Sequence, residues 1–238
     1  MHGYYAKKAP KLKKAMNRLL KPITGELEKA CGKPYAALFS EIWDHYEKYM
    51  LENFPYIGGD EVSGTGNLTG AYCFVSMGEI LKKYGTGMVE IGHLMALAYE
   101  RHFNAMPGIV KTIAHKSFTN VKSLNKKYLK KDAKNAVNAA RYPGSFETKT
   151  MIPPEKGYDF SYHNLVCPLS NFARANGYEA YMPYLCNLDY VMFGAFGVPL
   201  FREHTCFADG DYCDFKLKID AELMPYWPPV FTQGEGYK

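Results

Sequence analysis

The stretch LFREHTCFADGDYCDFKLKI (200–219) contains two apolar-alternating runs around Ala208-Asp209-Gly210-Asp211. Asp-Gly between strand-like runs is a strong hairpin signal, favouring a two-residue loop. With Asp209-Gly210 as that loop, Cys206 faces Cys213, His204 faces Phe215 and Arg202 faces Leu217. Cross-strand partners share a face, and strands alternate faces with period two. Cys213, Phe215, Leu217 and Ile219 are therefore expected on one face with Cys206, His204 and Arg202. A thiol pair, an imidazole and a guanidinium would then lie against a core.

The chain leading to this hairpin changes character once, near Tyr142-Pro143-Gly144. Before it the periodicity is helical. A basic helix is expected over residues 9–30, starting at Pro10 and kinked at Pro22. Leu38, Ile42, Tyr46 and Met50 recur every four residues as one apolar stripe, ended by Pro55, Gly58 and Gly59. Asn67 or Thr69 is placed to cap a helix that buries Tyr72, Val75, Met77, Ile80 and Leu81 and stops at Gly85. Residues 88–104 form a further helix, and 108–140 one or two more. After the break, a strand is expected from about Tyr158 to Cys167, ended by Pro168. A short helix closed by Gly177 follows, and then a helix after Pro183. Cys186 and Asp189, three apart, lie on one face of that last helix. The expected class is α+β: a helical N-terminal half packed on a small antiparallel sheet with a C-terminal hairpin. One domain over 1–238 is expected, helical to about 142, mixed over 143–219, with an irregular aromatic tail over 220–238 that straps the surface or meets a partner.

Composition narrows the function classes. The hydrophobic share is 47% and the charged share 22%, so a packed core is expected rather than disorder. Tyrosine is abundant (20, against 2 Trp), which suits a tyrosine-lined pocket as well as ordinary core edges. Much of the net charge of +5 falls between Lys111 and Arg141. Without a nucleic-acid motif, that stretch reads as solvated helix, and no nucleic-acid partner is expected. The N-terminus lacks the apolar core of a signal peptide, and no run approaches the ~18 apolar residues of a membrane span. A cytoplasmic location and no membrane partner are expected, and a homo-oligomer is left open. Six cysteines in that setting read as thiols rather than disulfides.

Several familiar chemistries are missing from the sequence. It holds no HExxH, no GxxxxGK[ST], no GxSxG and no CxxC. The GxGxxxG run Gly64–Gly70 follows no strand and reads as the start of a helix. His93 and His102 do not have ligand spacing, and Cys31 and Cys73 read as core filler. What remains is Cys167 at a strand end, Cys186 with Asp189 on a helix, and His204, Cys206 and Cys213 on the hairpin. A thiol beside an imidazole or a cation becomes a nucleophile, and a nearby carboxylate serves as acid or base. Each of these residues also has a plain structural reading as buried filler or an ion-pair partner. Neither a metal nor a cofactor is expected.

Cys167-Pro168, Cys186-Asn-Leu-Asp189, then Arg202, Thr205, Gly210 and Cys213-Asp214-Phe215 resemble, in this order, the end of the L-2-amino-thiazoline-4-carboxylic acid hydrolase family. His204 and Cys206 stand outside the shared pattern. The resemblance implies hydrolytic ring opening of a 2-aminothiazoline carboxylate, or a related cyclic amidine, to an N-carbamoyl product. It implies a thiolate or activated water attacking C2. The candidate catalytic residues are Cys213, Cys186, Asp189 and Cys167, and the candidate substrate-binding residues are Arg202 and Thr205 from the shared pattern together with His204 and Asn67 from outside it. The alternative is a small-molecule-binding or sensor domain without turnover.

Overall fold

The computed structural model describes residues 1–208 and 210–230. Its class is α+β, with helices dominating the N-terminal part and an antiparallel sheet towards the C-terminus. The chain divides into two compact units, Met1–His102 and Phe103–Lys238.

The first unit is helical. It contains α1 (Gly3–Leu20), α2 (Thr24–Cys31), α3 (Tyr35–His45), α4 (Ser63–Lys83) and most of α5 (Met88–Asn104). The expected start at Pro10 is corrected. The His2 side chain accepts the Tyr4 amide at 3.2 Å and caps α1, so Pro10 lies inside the helix. A 3-10 turn containing Pro22 separates α1 from α2, at the expected kink. Leu38, Ile42, Tyr46 and Met50 are all fully buried. An α-helix advances 3.6 residues per turn, so a strict period of four would drift around the axis by roughly 40° per step. The wide π-turn over Tyr46–Leu51 absorbs that drift and keeps Met50 inside. A buried hydroxyl without a partner costs about 1–3 kcal/mol. Tyr5 and Tyr46 avoid this by donating to Pro55 O (2.7 Å) and Thr69 O (2.8 Å). The second correction concerns α4. It begins at Ser63, so Asn67 and Thr69 lie within it rather than capping it. Its expected buried side, from Tyr72 to Leu81, is buried.

The second unit continues with α6 (Gly108–Thr119) and α7 (Val121–Arg141). It then alternates β1 (Glu147–Thr150), β2 (Phe160–Val166), α8 (Pro168–Asn176), α9 (Met182–Ala195), β3 (Leu200–Phe201) and β4 (Cys213–Leu217). Among the described residues the sheet has four strands in the order β1-β2-β4-β3, all antiparallel. The basic stretch forms α6 and α7, and α7 packs on the sheet through Leu124 and Tyr128. β1 carries no apolar signal. Its buried side is Thr148 and Thr150, tied to α7 by Asp132, which accepts from Thr148 Oγ1 (2.6 Å) and the Thr150 amide (2.7 Å). Gly177 closes α8 at φ +75°, a backbone state that favours glycine.

The hairpin register is also corrected. Leu200 pairs with Leu217 and Phe201 with Lys216, two residues from the expected match. The shift is even, so Arg202 keeps its expected place beside Phe215, but His204 lies beyond the paired residues and rests on Tyr212 rather than on the Cys213 face. Strand pairing stops at Phe201 because the Asp214 carboxylate accepts the Glu203 and His204 amides at 2.8–3.0 Å. A turn around Thr205 follows, with its Oγ1 and carbonyl taking the Ala208 amide. The connection therefore runs from Arg202 to Tyr212 instead of two residues, and Asp209 of the expected loop lies outside the described residues. No helix among the described residues is long and apolar enough to cross a membrane.

Candidate functional site

Four pieces of the second unit bring their polar groups to one place. β4 presents Cys213 on the face it shares with Phe215 and Leu217. β2 ends one residue before Cys167, which precedes α8. α9 places Cys186 and Asp189 one turn apart. The bend after β3 turns Arg202 inward. Its Nη1 donates to Asp189 Oδ2 (2.6 Å) and to Cys186 O (3.1 Å), and its Nε donates to Asp214 O (3.0 Å). The guanidinium sits 4.2 Å from the Phe215 ring centroid, and Phe215 stacks on Tyr162. Arg202 is thus fixed by α9, by β4 and by the aromatic layer beneath it.

Cys213 is the acceptor at the centre. The Cys167 and Cys206 thiols neighbour its sulfur and lower its pKa. The Cys206 amide reaches Sγ at 3.2 Å. The Cys206 thiol donates to Asn164 O at 3.4 Å. The Cys167 donor first and the Cys206 donor second hold the Cys213 pKa far below an ordinary thiol. Burial opposes them and Arg202 assists. The donors move the other way. Cys167 is raised by its bond to Cys213 and then by burial, and Cys206 follows the same order. Burial pushes Cys186 up to about 12, with Arg202 only partly opposing. Of the four sulfurs, Cys213 is the one whose pKa is lowered. Burial raises Asp189 to about 6 against the pull of Arg202, although a third of its side chain still faces outward. Burial disfavours the Arg202 charge, but Asp189 and then Cys213 outweigh it and hold the guanidinium ionised.

The other expected residues have different surroundings. His204 rests on Tyr212 (5.0 Å between ring centroids), whose other neighbour is His163 at 4.2 Å. Thr205 is buried within the turn that it caps. Asn67 is exposed on α4 in the first unit. Among the described residues, no group of three His, Cys, Asp or Glu is placed to hold a metal ion.

Sequence reasoning missed two features. The opposite face of β4 is buried too. Asp214 and Lys216 are each 1% exposed, with Lys216 Nζ 2.9 Å from Asp214 Oδ2 and 2.6 Å from Glu203 Oε2. The pattern Cys-Asp-Phe-Lys-Leu is that of a strand with one wet face, so alternation alone hides this network. The second feature is a pair of buried polar atoms without partners. Ser170 Oγ lies in the first turn of α8, three residues after Cys167, and Asn187 Oδ1 lies beside Cys186 on α9. The Asn187 amide group donates to Tyr226 O at 2.6 Å. Tyr226 and Val230 pack against the cluster that contains Cys167, Cys206 and Cys213, so the described part of the tail straps this unit.

Among known proteins, the family model described as L-2-amino-thiazoline-4-carboxylic acid hydrolase matches residues 79–217, more than half of the chain. The match encloses every residue of the cluster around Cys213. No curated protein and no solved structure matches the chain. On the strength of the family match, this chain belongs to the L-2-amino-thiazoline-4-carboxylic acid hydrolase family.

Proposed function

We propose that the chain hydrolyses a small cyclic amidine carboxylate of the 2-aminothiazoline type, with Cys213 as nucleophile. The observation that carries this reading is the Cys206 amide directed at Cys213 Sγ, with the Cys167 and Cys206 thiols and the Arg202 charge beside it. A structural thiol needs no such set of donors, and the set favours Cys213 over Cys186.

The chemistry balances as follows. The Cys213 thiolate adds to C2 of the ring, and the C2–S bond breaks. The ring sulfur leaves as a thiol after taking a proton from a Cys167 or Cys206 donor. An isothiourea now joins Cys213 to the former C2. Water, deprotonated by Asp189, adds to that carbon and Cys213 leaves as thiolate, giving the N-carbamoyl product, and the proton on Asp189 passes to the thiol spent in the first step. The net change is addition of one water. Asp189 suits the base role because its pKa is raised to about 6, near the operating pH. Arg202 holds Asp189 and stabilises the returning thiolate. Ser170 Oγ and Asn187 Oδ1 supply a donor and an acceptor still to be satisfied, fitting a carboxylate and an amidine N–H.

The test is turnover of 2-amino-thiazoline-4-carboxylate, followed by release of free thiol, with mass spectrometry of Cys213 during the reaction. Thiol release with an adduct on the Cys213 peptide supports the reading. Substrate binding without thiol release by the wild-type chain overturns it in favour of a binding domain.

A further inference from the structure

We propose that the first unit carries a binding site for a small phosphate monoester, between the start of α4 and the facing side of α1. This site lies outside the family match and is independent of the thiol cluster.

A cleft of about 310 Å³ opens there. Small-molecule pockets run from roughly 300 to 1,000 Å³, so this one fits a monoester and excludes a dinucleotide. Its polar wall comes from Lys8 and Lys11 of α1, from Asp60 and from Ser63, Thr65 and Gly66 of α4, and Leu12 and Val62 supply an apolar floor. Three features of α4 point to an anion. Val62 precedes the helix and offers no side-chain cap, and the Ser63 and Gly64 amides make no backbone hydrogen bond among the described residues. The helix therefore presents unsatisfied N–H groups and about half a positive charge. The Thr65 hydroxyl is a separate observation: the residue is 3% exposed, lines the cleft and has no hydrogen-bond partner. A buried hydroxyl in that state is normally satisfied by a ligand or by water. Gly66 has no heavy atom within 4 Å of where a Cβ would stand, so its side of the helix start is open for close approach.

Charge favours phosphate. The Asp60 carboxylate is occupied by Tyr4 Oη (2.7 Å) and Lys8 Nζ (2.6 Å), while Lys11 acts on it only through its field and makes no direct ion pair among the described residues. Gly59 (φ +58°) is required beside this contact, because a Cβ there would stand 2.8 Å from the Tyr4 ring. Lys11 and the helix start remain for the ligand. A phosphate monoester offers three terminal oxygens and a charge of about −1.5 to −2 near neutral pH, enough for two amides, a hydroxyl and an ammonium group. A carboxylate has only two oxygens for the same donors.

The test is amide NMR of the full-length, isotope-labelled chain titrated with phenyl phosphate, in parallel with benzoate. Saturable shifts at Ser63, Gly64 and Gly66 are expected with phenyl phosphate. Lys11→Ala, an exposed position that leaves the fold intact, and Gly66→Val should each weaken that binding about tenfold or more, the scale of one lost charge-assisted contact. Absence of shifts at these amides overturns the proposal. So does equal binding of benzoate, or unchanged binding in both variants.

Discussion

Cys213, Phe215 and Leu217 point to one side of β4 while Asp214 and Lys216 point to the other, and all five are buried. The two sides treat charge differently. On the Asp214 side, cation meets carboxylate directly, and Asp214 also accepts two backbone amides. Each charge there has an opposite charge within reach, which is what a structural network requires. On the Cys213 side the acidic group is a thiol whose pKa is lowered by two neighbouring thiols, an amide and a guanidinium that also serves Asp189. Its donors can give up protons, so that arrangement suits proton transfer as well as packing. One strand therefore carries a structural face and a reactive face.

The comparison breaks most visibly at Cys213. Cys213→Ser should lower turnover by on the order of 10⁴-fold or more, the scale of losing a nucleophile, while thermal unfolding stays close to wild type. The mirror experiment is Asp214→Ala. It strips Lys216 of its buried partner and should lower unfolding free energy by about 3–5 kcal/mol in a urea titration. Replacing Asp214 and Lys216 together by Asn and Met should recover part of that loss, because no unpaired buried charge remains.

Asp189→Asn should reduce kcat by roughly 10²–10³-fold, as for loss of a general base. It also carries the pH test. Wild-type kcat/KM should fall on the acid side with a midpoint near pH 6, where Asp189 takes up its proton, and show no thiol limb near 8.5. The acid limb should vanish in Asp189→Asn. The folded pKa of Asp189 lies above its unfolded value of 3.8, so the native chain binds more protons between 3.8 and about 6. The Asp189 contribution to stability therefore falls as pH rises through that window, and Asp189→Asn removes that contribution. The smallest effect is at the start of α7, outside both sets of contacts. Asn120 accepts the Ser123 amide at 3.1 Å as the cap of α7, and Asn120→Ala should cost about 1 kcal/mol with kcat unchanged.

Much of this was legible in the sequence where an apolar period or a chain breaker dictates the outcome. The stripe from Leu38 to Met50, the stop at Gly177 and the shared face of Cys186 and Asp189 are of that kind. Less visible were the features made by polar side chains acting on backbone. β1 exists because Asp132 holds two threonines. The hairpin opens because Asp214 takes amides that a strand partner would use. α4 starts at Ser63 without the side-chain cap that its sequence led one to expect at Asn67. Cys167, Cys186, Asp189, Arg202, Cys206 and Cys213 were readable as a group because strand and helix periods place them. Ser170, Asn187 and Lys216 were not, since nothing local distinguishes a buried polar residue from a solvated one.

The central claim is that Cys213 is ionised at neutral pH. Thiolate ultraviolet absorbance measured against pH, for wild type and Cys213→Ser, tests it most directly. A thiolate signal already present at about pH 6 in wild type and missing in Cys213→Ser is the predicted result. A signal that emerges only near the ordinary thiol pKa of about 8.5, or one that Cys213→Ser leaves unchanged, would contradict it.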